Sequence, residues 1–306
     1  MAYQVNSTPT IGLALGSGAS RGWSHIGVIK ALSELDIHPQ VVCGSSIGAI
    51  VGAAYVAGNL DKLEQWVRSL TRVELAKYIE LNLSLNGFVD TEKLHEFFIQ
   101  CVCREDQSIE DSTAKFASVA TDLETGREVW FTSGPLIDAV WASISLPGLF
   151  PPLQHQGRWL VDGGLVNPVP VSVCHALGAD IVISVNLNGD IVGKHFIQKR
   201  NGQQNNGNHV MDRLTRAFNK YSPSLFNDEK EKPSPPGLFD AIAGSINIAQ
   251  DRITRSRMAG EPPDILLSPK LSHVGLMEFY RAAASIQEGK ECVMRMLPEI
   301  RHVLGK

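Results

Sequence analysis

This chain lacks a large surplus of either charge: 28 Lys and Arg stand against 32 Asp and Glu, a formal net charge of −4. A nucleic-acid binder carries a basic surplus, so nucleic acid is not an expected partner. Cysteine is scarce, with 5 in 306 residues, at Cys43, Cys101, Cys103, Cys174 and Cys292. These form no CxxC pair and no His–Cys spacing suited to zinc, which argues for reduced thiols and against a metal site or disulfide scaffold. Long hydrophobic runs are lacking as well. The longest, Ile47 to Gly58, falls short of the roughly 20 apolar residues that a spanning helix needs. The opening MAYQVNSTPT has neither a basic start nor an apolar stretch, so no secretory leader is expected. The expectation is a soluble, cytoplasmic protein that can sit peripherally on the inner face of a membrane. There is no internal repeat. What remains is an ordinary globular composition, 43% hydrophobic and 20% charged, which excludes disorder throughout, collagen and coiled coil.

Against that background the N-terminal pattern stands out. Ile11 to Leu15 (IGLAL) is a short apolar run ending in GSGASRG, residues 16 to 22, followed by Ile26, Val28, Ile29, Leu32 and Leu35 at helical spacing. This predicts strand, tight loop, helix. A second unit follows, with Val41-Val42-Cys43 running into GSSIG and then a helix from Ala49 to Ala57. Two such units in succession predict an α/β fold, a three-layer sandwich with a mainly parallel central sheet. Further strands are expected at Lys115 to Thr121, Arg127 to Phe131, Trp159 to Val161, Ile181 to Val185 and Ile265 to Leu267. Helices are expected at Leu60 to Leu70, Thr91 to Val102, Ile137 to Ala142, Val171 to Leu177, Leu276 to Gln287 and Glu291 to Val303. From about 189 to 236 the composition turns to Asn, Gln, Pro and charge, which predicts a mobile insertion. Inside it Val210, Met211, Leu214, Phe218 and Tyr221 fall at helical spacing beside Arg213, Arg216 and Lys220, a stripe that suits a surface helix or one touching a membrane.

Gly44-Ser45-Ser46-Ile47-Gly48 matches G-x-S-x-G, in which the serine sits on a sharp strand-to-helix turn. The pattern is short, but its place between an apolar strand and a small-residue helix is the context that the turn requires. The helix that follows brings its positive end to any oxyanion. The loop Gly16, Ser17, Gly18, Ala19, Ser20, Arg21, Gly22 can turn backbone N–H groups toward an anion. A dinucleotide pyrophosphate is one candidate, but that use needs an acidic residue at the end of the second strand, where GSSIG stands instead. An oxyanion hole for an acyl intermediate fits better, and a loop that merely packs remains the plain alternative. Asp162-Gly163-Gly164 follows an apolar strand, so its carboxylate can reach the turn serine or simply cap a turn. None of the nine histidines lies in a catalytic signature; His25, on the first helix, suits a packed, hydrogen-bonded role. The elbow comes after only the second strand, which points away from an ordinary Ser–Asp–His triad.

Taken in order, LALGSGASRGWSHIGVIKAL, GSSIGA, ATDLETG, ASISLPGLFPP and VDGG resemble the patatin-like phospholipase family, and most closely its bacterial members of the neuropathy-target-esterase type. The motifs run from residue 13 to about 175, the implied catalytic core, with 176 to 306 as the C-terminal part of the same domain. The resemblance implies a Ser46–Asp162 dyad, an oxyanion hole in the glycine loop, and lipid carboxyl esters as substrates. It implies no cofactor and no metal. The expected partner is a phospholipid or lysophospholipid at a membrane surface, and the oligomeric state is left open. Many members carry an unbroken glycine run where this chain has Ser17 and Ala19. A soluble short-chain or thioester hydrolase is the alternative enzyme, and a non-catalytic membrane-associated module the alternative class. A pure binder has no need of both Ser46 and Asp162.

Overall fold

Short apolar runs punctuated by glycine become the strands of one sheet. The computed structural model describes residues 9–78, 91–191 and 238–306. β1 (Ile11–Leu15) leads through the glycine loop to α1 (Ser24–Glu34), and β2 (Val41–Ser45) leads directly into α2 (Ile47–Val56). Then follow α3 (Leu60–Ser69), α4 (Arg72–Tyr78), α5 (Thr91–Cys101), β3 (Lys115–Asp122), β4 (Glu128–Phe131) and α6 (Leu136–Ile144). β5 (Leu153–His155), β6 (Arg158–Asp162), α7 (Val171–Ala176), β7 (Ile181–Val185), α8 (Leu238–Gly260), β8 (Ile265–Leu267), α9 (Ala282–Arg295) and α10 (Leu297–Leu304) complete the described elements.

The sheet has eight strands in the order β5-β6-β3-β2-β1-β7-β8, with β4 also paired to β3. β3, β2, β1, β7 and β8 are mutually parallel, while β4 and β6 run antiparallel to β3, and β5 antiparallel to β6. Side chains alternate across the pleat and so sort into two cores. Leu13 and Leu15 face a large core with Ile26 and Ile29 of α1, Val51 of α2, Val140 of α6 and Ile286 of α9. Ala14, Val41, Cys43, Ala117 and Val119 face a smaller one with Val171, Val173 and Cys174 of α7. This is the three-layer, mainly parallel α/β architecture. All five cysteines are buried free thiols. Among the described residues no helix is long and apolar enough to cross a membrane.

The C-terminal helices depart from expectation. The pattern suggests helices over Leu276 to Gln287 and Glu291 to Val303, with a break near Gly289. Instead α9 runs unbroken through Gly289 and the chain breaks at Met296, with Pro298 in the first turn of α10. A proline suits that first turn, where its missing N–H has no partner to lose. Gly289 stays helical because α1 passes too close for a side chain: a Cβ there would stand 2.0 Å from Ser24 O. α4, β5 and α8 were not anticipated. Nearly all of the 189–236 insertion, including the Val210-to-Tyr221 stripe, lies outside the described residues.

Candidate active site

β2 ends at Ser45, and the next residue turns the chain into α2. Ser46 takes φ 57° and ψ −124°, a backbone conformation that side chains avoid and that strained elbows impose. Bare flanks make the turn possible: a Cβ on Gly48 would stand 2.1 Å from Leu15 O, and one on Gly44 2.5 Å from Ala49 N. The Ser46 N–H donates to Ser143 Oγ at 2.9 Å, at the end of α6.

Strand registers bring the carboxylate to this serine. β4 occupies one side of β3 from Ser118 to Thr121, so β2 and β6 share the other. Ser45 is opposite Val119 and Asp162 is opposite Ala120, and the two strands therefore meet end to end with opposite directions. Their C-termini converge, which places Asp162 beside the elbow. The Asp162 N–H donates to Ser145 O at 3.1 Å, so the end of α6 anchors both partners. Ser46 Oγ donates to Asp162 Oδ2 at 2.5 Å, and Oδ1 accepts the Gly164 N–H at 2.7 Å. Asp162 is 1% exposed. Burial raises its carboxyl to about 6, against the opposing pull of the hydrogen bonds from Ser46 and Gly164. Gly163 is bare because a Cβ would stand 2.1 Å from Val119 O.

The glycine loop borders the same crevice, since a Cβ on Gly164 would meet Ser17 Cβ at 3.0 Å. Its N–H groups are not equivalent. Gly16 N–H donates to Val185 O at 3.1 Å, Ser17 N–H to Pro168 O at 2.8 Å and Arg21 N–H to Gly18 O at 3.3 Å. The N–H groups of Gly18 and Ala19 have no acceptor among the described residues. The expectation of donors along the whole of 16–22 is thereby narrowed, because those three N–H groups and that of Ser20, which donates to Leu276 O at 3.2 Å, already serve the fold. Gly22 is there for space, with a Cβ falling 2.2 Å from Ile47 Cγ1 of the elbow helix. Arg21 contributes charge. Its guanidinium is buried, donates from Nε to Gly18 O at 3.0 Å and from Nη2 to Asn247 Oδ1 at 3.1 Å, and forms no ion pair among the described residues. Burial lowers it only to about 10, so it stays cationic at neutral pH.

His25 is fully buried, and Nε2 donates to Gly16 O at 2.8 Å. Desolvation lowers it to about 4, so it is neutral at physiological pH. Ser143 and Ser145 had no role in the sequence reading, although both lie in the ASISLPGLFPP motif. Their function depends on where α6 ends relative to two distant strands, and no local pattern reports that. Among the described residues no group of three or more His, Cys, Asp or Glu could hold a metal ion.

Comparison with known proteins gives consistent relatives. The sequence pattern described as patatin-like phospholipase matches residues 13–175. An uncharacterised NTE family protein of Mycobacterium tuberculosis is 31% identical over 95% of this chain and 92% of its own length. The lysophospholipase NTE1 of Pyricularia oryzae is 28% identical over 95% of this chain, which covers 19% of that much longer protein. A solved structure, VipD from Legionella pneumophila, aligns over 97% of this chain and 77% of that one at a TM-score of 0.40 and 12% identity.

Proposed function

Because the chain belongs to the patatin-like phospholipase family, we propose that it hydrolyses carboxyl esters of lysophospholipids or phospholipids through Ser46 and Asp162. The observation that carries this reading is the 2.5 Å hydrogen bond from Ser46 Oγ to a buried carboxyl held at about 6. A serine hydroxyl is a poor nucleophile until a base takes its proton. A carboxyl of ordinary acidity is a weak base, and desolvation brings this one nearer to the working pH.

Ser46 Oγ attacks the ester carbonyl carbon as its proton passes to Asp162. The carbonyl oxygen becomes an alkoxide facing the N–H groups of Gly18 and Ala19, with the buried Arg21 cation behind the loop. The tetrahedral intermediate then collapses, and the leaving alcohol takes the proton back from Asp162. Water attacks the acyl-Ser46 ester in the second half, again giving a proton to Asp162. The carboxylic acid departs and Ser46 Oγ recovers its proton.

The test is hydrolysis of a panel of lysophospholipids, diacyl phospholipids, short-chain esters and thioesters, alongside labelling by a fluorophosphonate. Ser46→Ala and Asp162→Asn are each expected to abolish turnover in a folded protein, with effects that do not add because the pair acts as a unit. Substituting His25, His175 or His273 by a neutral amide leaves measurable hydrolysis. A folded wild-type protein that neither labels nor hydrolyses any member would assign the fold to a binding role. A single histidine variant as inert as Ser46→Ala would require a triad.

A further inference from the structure

Three successive carbonyls of the glycine loop are each held by a side chain. His25 Nε2 donates to Gly16 O at 2.8 Å, Asn188 Nδ2 to Ser17 O at 3.3 Å, and Arg21 Nε to Gly18 O at 3.0 Å. In a trans peptide the C=O of one residue and the N–H of the next point in opposite directions. No peptide bond among the described residues is cis. Holding the Gly16 carbonyl therefore aims the Ser17 N–H, which goes to Pro168 O. Holding the Ser17 carbonyl aims the Gly18 N–H, and holding the Gly18 carbonyl aims the Ala19 N–H. Those last two are the N–H groups of the loop that remain without an acceptor among the described residues.

Asn188 is the least expected of the three anchors. It is fully buried just beyond β7, and its own N–H donates to Asn186 Oδ1 at 3.0 Å. The orientation of its amide is dictated by chemistry. Ser17 O can only accept, so Nδ2 must face it, and the same Nδ2 also donates to Gln250 Oε1 at 3.0 Å. Gln250 is buried on α8, and its Nε2 lies 2.5 Å from where a Cβ on Gly164 would stand. One amide pair thus connects the Ser17 carbonyl to the turn that carries Asp162. Neither residue has a hydrogen bond to Ser46 or Asp162 among the described residues, and both lie beyond the 13–175 segment that the family pattern matches.

We propose that Asn188 is a positioning residue that pre-aims the Gly18 N–H at the oxyanion, with Gln250 locking its amide. The proposal rests on the serine-hydrolase reading above. Its energetic basis is preorganisation: a donor already pointing at the developing charge needs no rearrangement during reaction.

The test compares Asn188→Ala and the isosteric Asn188→Asp with wild type in three measurements. These are kcat and KM on a lysophospholipid, inhibition by a trifluoromethyl ketone of the same acyl chain, and thermal unfolding. The ketone adds to the serine as an alkoxide and so reads the hole directly. Either variant should lower kcat about ten- to a hundredfold with KM within about twofold, and should weaken the ketone by a similar factor. A role confined to packing would lower the melting temperature without that parallel. A folded variant with wild-type kcat, or one that loses kcat while the ketone binds as before, overturns the proposal. Should the alanine variant not fold, the aspartate variant carries the test. Ser46→Ala, run in parallel, separates the two readings: hydrolysis surviving there removes the serine mechanism and the Asn188 role with it. An inert Ser46→Ala beside a fully active Asn188→Ala removes the Asn188 role alone.

Discussion

At the scale of residues, the site holds a carboxyl where solvent cannot stabilise its charge. As the proposed base, Asp162 would work only when ionised, and burial raises its carboxyl to about 6. The kcat/KM profile should therefore show an acid limb near pH 6, with activity present above it and lost below. An acid limb near 4 would mean that the carboxylate is better solvated than its burial indicates. Stability moves in the opposite direction. The folded-state value lies above the ordinary 3.8, so the contribution of Asp162 is most favourable below the unfolded value and is lost as pH rises through about 6. The gap corresponds to about 3 kcal/mol at pH 8. Asp162→Asn should then be inert yet melt at higher temperature than wild type at pH 8, with the difference shrinking as pH falls toward 4. Equal melting temperatures at pH 8 would show that the ionised form meets no net burial cost.

At the scale of elements, the close approach of α1 and α9 holds the loop from behind. α1 begins at Ser24, directly after the glycine loop, and its Gly27 and the Gly289 of α9 both lie against the partner's backbone. A Cβ on Gly27 would stand 1.9 Å from Ile286 O, and one on Gly289 2.0 Å from Ser24 O. Gly289→Ala must push the helices apart along a packed face, which is expected to cost about 3 kcal/mol. Chemical denaturation would read this as a lower midpoint at an unchanged slope. Because the loop is tied to α1, turnover should fall as well, by more than a surface substitution such as Arg301→Ala. A Gly289→Ala protein of wild-type stability would mean that the helices separate freely there. α6 is a second organising element, since Ser143 and Ser145 at its end receive the N–H groups of Ser46 and Asp162.

At the scale of the whole molecule, the described parts of 176–306 are needed to complete the sheet. β7 pairs along the whole length of β1, and β8 pairs with β7 beyond it. Ending the chain at residue 175 would leave β1 as an open edge and uncover the face of α1 against which α9 packs. Such a fragment contains Ser46, Asp162 and the glycine loop, yet it is expected to be insoluble or unfolded by circular dichroism. A cooperatively melting, active 1–175 fragment would make the remainder a separate unit.

How much of this was legible in the sequence follows the range of the forces involved. The two strand-loop-helix units, the elbow at Ser46 and the bare positions at Gly44, Gly48 and Gly163 could be read directly. A short apolar run, a glycine and a helical stripe are dictated by contacts between near neighbours. The parallel architecture followed from those units, because such repeats have few ways to bury both faces of a sheet. The pairing of β6 with β3 end to end against β2 was not legible. Asp162 stands out as a candidate by its place before two glycines and by the family resemblance, but what brings it to Ser46 is that register, set across some 40 residues. The gap between the two expected C-terminal helices falls at Gly289 because the residue that makes its bareness necessary, Ser24, is remote in the chain. Asn188 and Gln250 gave no signal at all, since an amide that holds one distant carbonyl leaves no periodicity behind. The sequence by itself determined the local turns and the fold that they permit. The tertiary structure decided which distant carboxylate, amide and helix end converge on them, because that convergence is a matter of long-range hydrogen bonds and packing.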